Sequence, residues 1–258
     1  MPTEIHPAAV VHPRAQIGDG CFIGPFCLIG EHVTLGANCR LHSHVVIEGH
    51  TTLGSGNEIF PFASIGHKTQ DLKWKGGITR AVIGDHNTFR ESVTIHSATS
   101  DGNATVVGSH NTILAYSHIA HDVRLGNHIV MSNVATLAGH VIVEDHAIVG
   151  GLAAIHQFCR IGKMSIIGGC SKVVQDVPPF MLVDGNPGQT RTVNKVGLER
   201  NGASEEAQAA LKQAYKILFR EGLTITNALS RIEAELPMLP EVQHLVQFAR
   251  TSERGLSK

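Results

Sequence analysis

VGSHNTILAYSHIAHDVRLGNHIVMSNVATLAGHVIVEDHAIV, residues 107–149, carries a bulky apolar side chain at every sixth position: Val107, Ile113, Ile119, Leu125, Met131, Leu137, Val143 and Val149. The register continues through Ile155, Ile161, Ile167 and Val173. Toward the N-terminus it runs unbroken from Ile5 through Val11, Ile17, Ile23, Ile29, Leu35, Leu41, Ile47, Leu53 and Ile59 to Ile65, and it reappears at Ile83, Phe89 and Ile95. Four residues after the apolar position the side chain is nearly always small, as at Ala9, Ala15, Cys21, Cys27, Ala63, Ala135, Ala147, Ala153, Cys159 and Ser165, with Ile129 the large exception. Glycine often follows the apolar residue, as at Gly18, Gly24, Gly36, Gly54, Gly84, Gly108, Gly126 and Gly162.

Self-similarity at a fixed period marks an array whose units cannot bury their apolar sides alone. Each hexad reads as a short strand plus a turn, and three hexads make one triangular coil. The apolar residue points into the prism, and the small residue points inward where the chain turns. Glycine is expected to relieve strained turn dihedrals. Coils stack by parallel strand pairing at about 4.8 Å per coil. Cys21, Cys27, Cys39 and Cys159 all fall on the small inward position and read as core filler.

The repeat ends near Pro178-Pro179, and Val183–Gly188 reads as turn and linker. Beyond it the composition becomes helical: Glu205 to Glu221 holds Leu211, Ala214 and Leu218 at helical spacing, and 224–235 and 241–251 also read as helices. The division expected is a mainly β domain over 1–190 and a C-terminal α-helical domain over 191–258 that covers the open end of the last coil.

Composition excludes several classes. The chain has 258 residues, a formal charge of −1 and 17% charged residues, which gives no field suited to nucleic acid. There is no apolar run of the roughly 20 residues a spanning helix needs and no signal-peptide pattern, so no transmembrane segment and a cytoplasmic location are expected. Five cysteines in a chain of this size suit a reducing compartment better than a disulfide framework.

Interruptions of so strict a repeat are informative. One insertion spans about 67–81 and holds the only Trp, Trp74, beside Lys73 and Lys75; a second spans about 98–105. Loops leaving a rigid scaffold are usual places for binding residues. The coil period also aligns His121, Gly139 and Gln157 in one column and Asp122, His140 and Phe158 in the next, with His118 and His156 alongside. Packing does not require that gathering. His32, His44, His50, His86, His110, His128 and His146 fall on exposed turn positions and read as surface residues.

The hexads match the left-handed parallel β-helix of hexapeptide-repeat proteins, and the left hand comes from that resemblance, against the usual crossover rule. The runs Gln70-Asp-Leu-Lys73, Arg90–His96, Tyr116–Asp122, Ala135–His140, His156-Gln-Phe-Cys159 and Gln175–Pro179 resemble the UDP-N-acetylglucosamine O-acyltransferase family over the whole chain. The resemblance implies transfer of a 3-hydroxyacyl group from acyl carrier protein to the sugar 3-position, the first step of lipid A synthesis. It implies a homotrimer with sites between subunits and neither cofactor nor metal. By motif, His121 would be the general base, Asp122 would orient its imidazole, and the Gly139 N–H would stabilise the oxyanion. Gln70, Asp71, Lys73, His96, His118, His140, His156, Gln157, Asn194 and Arg200 would hold the nucleotide sugar and acyl chain, and Gly169 would bear on acyl length.

Two departures stand out: Val196 where the family often has Glu, and Asn201 where it often has a second Arg. They leave open a 3-amino acceptor and amide formation. Lys212, Lys216 and Arg220 form a basic stripe that an acidic carrier would fit. Three other readings stay open from the residues alone: a zinc-dependent hydratase on the histidine cluster, a transferase using another donor such as acetyl-CoA, and a structural β-helix without chemistry.

Overall fold

Residues 2–258 are described by the computed structural model. Three parallel sheets wrap around one axis and form a prism. The first contains the two-residue strands Glu4–Ile5, Phe22–Ile23 and their successors to Ile166–Ile167, the second runs from Val10–Val11 to Lys172–Val173, and the third from Gln16–Ile17 to Arg160–Ile161. Register is one coil per step, so Ile5 pairs with Ile23 and Ile119 with Leu137. Where the insertions intervene the ladder stays in phase: Ile59 pairs with Phe89, and Phe89 with Ile113. The insertions therefore leave the prism in phase, with a local register shift between Ile65 and His67 where the first one departs.

The apolar hexad positions form one continuous core, in which Ile23, Leu41, Ile59, Phe89, Ile113, Met131 and Ile161 are fully buried. Each such side chain contributes about 1.5–3 kcal/mol on burial. The inward turn position is less uniformly small than its early members suggest. Asn57, Asn87 and Asn111 occupy it on successive coils and are buried. The Asn57 Oδ1 accepts the Asn87 N–H at 3.0 Å, the Asn87 Oδ1 accepts the Asn111 N–H at 2.9 Å, and the Asn111 Oδ1 accepts the Ile129 N–H at 2.7 Å. The ladder satisfies backbone groups the turn would otherwise orphan.

The role expected for the repeat glycines is corrected. Gly18, Gly24, Gly36 and Gly108 do not have the left-handed dihedral; that conformation lies two residues on, at Gly20, Phe26, Asn38 and His110. The glycines are needed because neighbouring coils approach so closely. A Cβ on Gly36 would lie 2.5 Å from the Gly54 carbonyl carbon, and one on Gly18 would lie 2.6 Å from that of Gly36.

The left-handed positions also account for many of the histidines. His, Asn and Asp tolerate this region better than most residues. Their side chains project outward and stack on the next coil: His86–His110, His110–His128 and His128–His146 at 5.2, 5.0 and 4.8 Å between ring centroids. His44, also left-handed, lies between Phe26 and Phe62, while His32 and His50 stack at 4.3 Å without that dihedral, His50 opening a strand.

The stretch expected to be a linker is a β-hairpin. Strand Met181–Asp184 joins the first sheet beside Ile166–Ile167 and turns back antiparallel into Gln189–Val193. Four helices follow: α1 (Lys195–Arg200), α2 (Glu205–Phe219), α3 (Ile225–Glu235) and α4 (Pro240–Arg250). Their starts follow capping chemistry: Ser204 accepts the Ala207 N–H, Thr224 accepts the Asn227 N–H, and Pro240 opens α4. The helices share a second core with Phe180 and Met181, including Leu198, Leu211, Leu218, Ile232, Leu245 and Phe248. Among the described residues no helix is long and apolar enough to cross a membrane.

Candidate active site

The prism has three edges. The edge between the second and third sheets carries both insertions and the turns 120–122, 138–140 and 156–158. His121 Nδ1 lies 2.9 Å from Asp122 Oδ2. The His121 ring stands over Gly139 on the next coil, where a Cβ would be 2.5 Å from Nε2 and 3.0 Å from Nδ1. Gly139 is buried, and its N–H has no acceptor among the described residues. The His140 ring stacks on Phe158 at 4.6 Å and meets His121 edge to face at 5.2 Å. The columns expected from the coil period are therefore present.

Asp122 has the left-handed φ of its turn, 59°. Its N–H donates to Thr105 Oγ1 at 2.8 Å, and its Oδ2 accepts the Thr99 N–H at 3.0 Å. With Oδ2 held by Thr99 and facing Nδ1 of His121, the carboxylate fixes the imidazole's orientation. An ionised Asp122 places the proton on Nδ1 and the free lone pair on Nε2. That nitrogen faces Asp71 Oδ2, 3.9 Å away on the first insertion. His121, Asp122 and His140 offer three ligand atoms within 4.8 Å, the cluster a zinc reading would use. The Asp122 oxygen nearest both rings is already engaged by the Thr99 N–H and His121, which favours a hydrogen-bonded pair over a cation site.

The insertions form a cleft of about 390 Å³ next to this pair, lined by Asp71, Lys73, Lys75, Gly76, Thr99, Ser100, Asp101 and His140. The Asp71 Oδ1 accepts the Lys73 N–H at 2.9 Å, a local turn that sets the loop tip. Gln70 and Lys73 are exposed. Two more of the sequence-predicted residues lie on the second sheet next to the cleft. His118 Nδ1 is 2.7 Å from Thr94 Oγ1, and His96 meets His118 edge to face at 4.9 Å. Further along the same edge, His156 and Gln157 are exposed, and the Arg254 guanidinium reaches His156 Nδ1 at 3.4 Å from the C-terminal tail.

Burial holds His96 well below its ordinary value, from 6.5 to about 4, aided by the neighbouring His118, His67 and His121. The folded state thus favours neutral His96, and its contribution to stability is full above the unfolded value. It declines as pH falls from 6.5 toward 4, over which up to about 3 kcal/mol should be lost. Denaturant midpoints taken from pH 7.5 downward should fall over this window, and His96→Gln should flatten the slope. An unchanged slope in the variant would show that His96 does not carry the effect.

Asn194, Arg200 and Gly169 are not brought to His121 within one chain. Asn194 caps α1, accepting the Gly197 N–H at 3.0 Å and donating to the Met164 carbonyl at 2.8 Å, which puts it at the edge between the third and first sheets. Arg200 is exposed at the end of the same helix. Gly169 lies at the remaining edge, where a Cβ would meet only the Gly151 carbonyl oxygen, at 3.3 Å. Asn201, one of the two departures, donates to the Gly197 carbonyl at 2.8 Å and closes α1, while Val196 is exposed. On the basic stripe Lys212 and Lys216 are exposed, but Arg220 is turned onto the Tyr215 hydroxyl at 2.8 Å and the Arg191 carbonyl at 3.2 Å.

Sequence reasoning did not single out Thr69, Thr99, Thr105 or Arg254. The insertion over 98–105 marked the neighbourhood of two of them, but nothing in a lone threonine signals that it braces a carboxylate.

Comparison with known proteins bears on what this edge does. Residues 176–257 match the model of UDP-N-acetylglucosamine O-acyltransferase domain 2, and 14–49 match that of the bacterial transferase hexapeptide. A protein of Pseudomonas syringae named acyl-[acyl-carrier-protein]–UDP-N-acetylglucosamine O-acyltransferase is 49% identical over 201 residues, 78% of either chain. One of that name from Stutzerimonas stutzeri is 46% identical over 212 residues, 82% of either chain. Among solved structures, LpxA from Acinetobacter baumannii superposes with a TM-score of 0.95 at 44% identity, over 98% of this chain and 99% of that one. The UDP-N-acetylglucosamine acyltransferase LpxA of Bacteroides fragilis gives 0.96 at 39%, over 98% and 100%.

Proposed function

The chain belongs to the UDP-N-acetylglucosamine O-acyltransferase family, and from that premise we propose how the His121 edge carries the reaction. The fold is the left-handed parallel β-helix with a C-terminal helical part. The enzyme is an acyl-[acyl-carrier-protein]–UDP-N-acetylglucosamine O-acyltransferase, which acts in lipid A synthesis.

In our reading, His121 Nε2 takes the proton from the sugar 3-hydroxyl as its oxygen attacks the thioester carbonyl of the acyl carrier. A C–O bond forms, and the carbonyl oxygen becomes an oxyanion held by the Gly139 N–H. Collapse of the intermediate breaks the C–S bond, and protonated His121 returns the proton to the leaving carrier thiolate. Asp122 keeps the imidazole in the required tautomer. The observation that carries the reading is the His121 ring, paired through Nδ1 to Asp122 at 2.9 Å and filling the space a Gly139 side chain would take, beside a Gly139 N–H that has no acceptor among the described residues. Asp71, Gln70 and Lys73 grip the nucleotide sugar from the loop, with His96, His118, His140, His156 and Gln157 along the acyl and sugar path.

The acceptor we favour is the 3-hydroxy sugar. Asn201 has a local reason to be there, as the close of α1, so it need not mark an amide-forming variant. A homotrimer is part of the proposal, because Asn194, Arg200 and Gly169 lie on edges other than that of His121. Only a neighbouring copy brings them to the cleft. The edge between the first and second sheets also exposes Phe26, Phe62, Tyr116, Val134 and Leu152 in a column, an apolar surface suited to burial between copies. We place the reaction in the cytoplasm, which suits five unpaired cysteines.

The test is acyl transfer followed by mass spectrometry. Acyl carrier protein charged with 3-hydroxyacyl chains of several lengths is offered with UDP-N-acetylglucosamine or its 3-amino analogue. Ester product with the hydroxy sugar is expected. Amide product alone would overturn the acceptor assignment, and no product with either would overturn the reading of the site.

A further inference from the structure

A closed ring of polar contacts joins the two insertions to the catalytic pair. The Asp71 N–H donates to Thr69 Oγ1 at 3.0 Å, and Thr69 Oγ1 pairs with Thr99 Oγ1 at 3.0 Å. The Thr99 N–H donates to Asp122 Oδ2 at 3.0 Å, and the same oxygen faces His121 Nδ1 at 2.9 Å. His121 Nε2 then looks across the cleft at Asp71 Oδ2, 3.9 Å away, where the ring began. Five residues from three separate stretches of chain are thereby linked, and Thr69 is buried although it sits on a loop.

We propose that Thr69 and Thr99 are positioning residues, which transmit the placement of the sugar-binding loop at Asp71 to the orientation of the Asp122–His121 pair. This rests on the reading of His121 as base and Asp71 as a sugar contact. The loop tip that meets the acceptor is anchored by the Asp71 N–H to one hydroxyl, and that hydroxyl holds Thr99 of the second insertion, whose N–H fixes Asp122. A shift of Asp71 on acceptor binding is felt at Asp122 through three hydrogen bonds, with only Thr69 and Thr99 between them. The two insertions are also zipped together elsewhere. The Ile78 N–H donates to Asp101 Oδ1 at 2.7 Å, Thr79 and Ser97 pair through their hydroxyls at 3.0 Å, and the Ser97 N–H donates to the His67 carbonyl at 2.9 Å. Removing the Thr69 hydroxyl therefore leaves the loops docked and loosens chiefly the link to Asp122.

The experiment measures kcat and KM for UDP-N-acetylglucosamine in Thr69→Val, which keeps the shape and deletes the hydroxyl, and in Thr69→Ser, which restores it. Thr99→Ala cuts the same hydroxyl pair from its less buried side and serves if Thr69→Val does not fold. Val or Ala should lower kcat at saturating acceptor by about 10- to 100-fold, the cost of a slightly misplaced catalytic group, whereas Ser stays close to wild type. In an Asp122→Ala background the Thr69→Val substitution should change kcat less than about twofold, since the coupled partner is gone. A rise in KM alone, an equal loss in both backgrounds, or a Ser variant as poor as Val would each overturn the proposal. A wild type that forms no product would instead overturn the reading beneath it.

Discussion

His121→Ala should lower kcat/KM for acyl transfer by about 10²–10⁴-fold, the usual contribution of a positioned general base, while the protein stays folded. The sugar hydroxyl is a poor nucleophile until its proton has an acceptor, and few groups could replace Nε2. Asp71 Oδ2 lies 3.9 Å from that nitrogen, but it belongs to the loop assigned to the acceptor. His140 is directed elsewhere: its Nε2 is 3.8 Å from Asp122 Oδ2 and its ring is stacked on Phe158. Folding should survive because the ring packs against a turn rather than into the prism core, which is made by Ile119, Val123 and Leu137. Initial rates under subsaturating acceptor, alongside a melting curve, make the comparison. Loss of less than about tenfold in a folded protein would remove His121 from the base role, because a true base contributes more than that.

The prism was legible because a six-residue period repeated over many coils leaves little choice of what points inward. Every apolar position from Ile23 to Val173 that the register marks is buried or nearly so. The glycines were visible but misread: a residue type signals that a Cβ is not tolerated, not whether dihedral or distance forbids it. Only the stacked coils show that Gly36 faces the Gly54 backbone. The hairpin over 181–193 escaped because its strand Gln189–Val193 is polar and largely exposed, so no apolar alternation marks it. Within the site, the column of His121 over Gly139 follows from arithmetic on the coil period, but what holds Asp122 does not. Thr99 acts through its backbone N–H and Thr105 through an oxygen on the strand leaving the second insertion. Backbone donors leave no mark on residue identity. The split of Asn194, Arg200 and Gly169 onto other edges was equally hidden, since motifs do not say which side of a prism they face.

Gly139→Ala offers a sharper test than any deletion, because alanine keeps the N–H that the oxyanion needs. Gly139 does not have a left-handed φ, so alanine meets no backbone penalty at that position. If the amide were all that mattered, the variant would work nearly as well as wild type. The geometry predicts otherwise. The new Cβ would lie 2.5 Å from His121 Nε2 and closer still to Cε1, distances that carbon atoms do not share, so the imidazole must swing away. The surrounding backbone cannot yield instead: the His140 N–H is bonded to the His121 carbonyl at 3.1 Å and the Phe158 N–H to the Gly139 carbonyl at 3.2 Å, which clamps the coils on both sides. A ring turned out of this seat loses its contact with Asp122 and moves Nε2 by the order of an ångström. A displacement of that size costs about 100-fold in rate. Acyl transfer in Gly139→Ala should therefore fall by about that factor with little change in melting temperature, and the His121 side-chain resonances should shift in a ¹H–¹⁵N spectrum while backbone amides away from the turn do not. Near-wild-type rates would mean that the ring finds a second productive seat and that the glycine serves through its amide alone. A large loss with unmoved His121 resonances would mean that the methyl blocks the thioester instead. The expected pairing, slow transfer with a displaced ring, would give one glycine two duties: its N–H to hold the oxyanion and its missing side chain to seat the base.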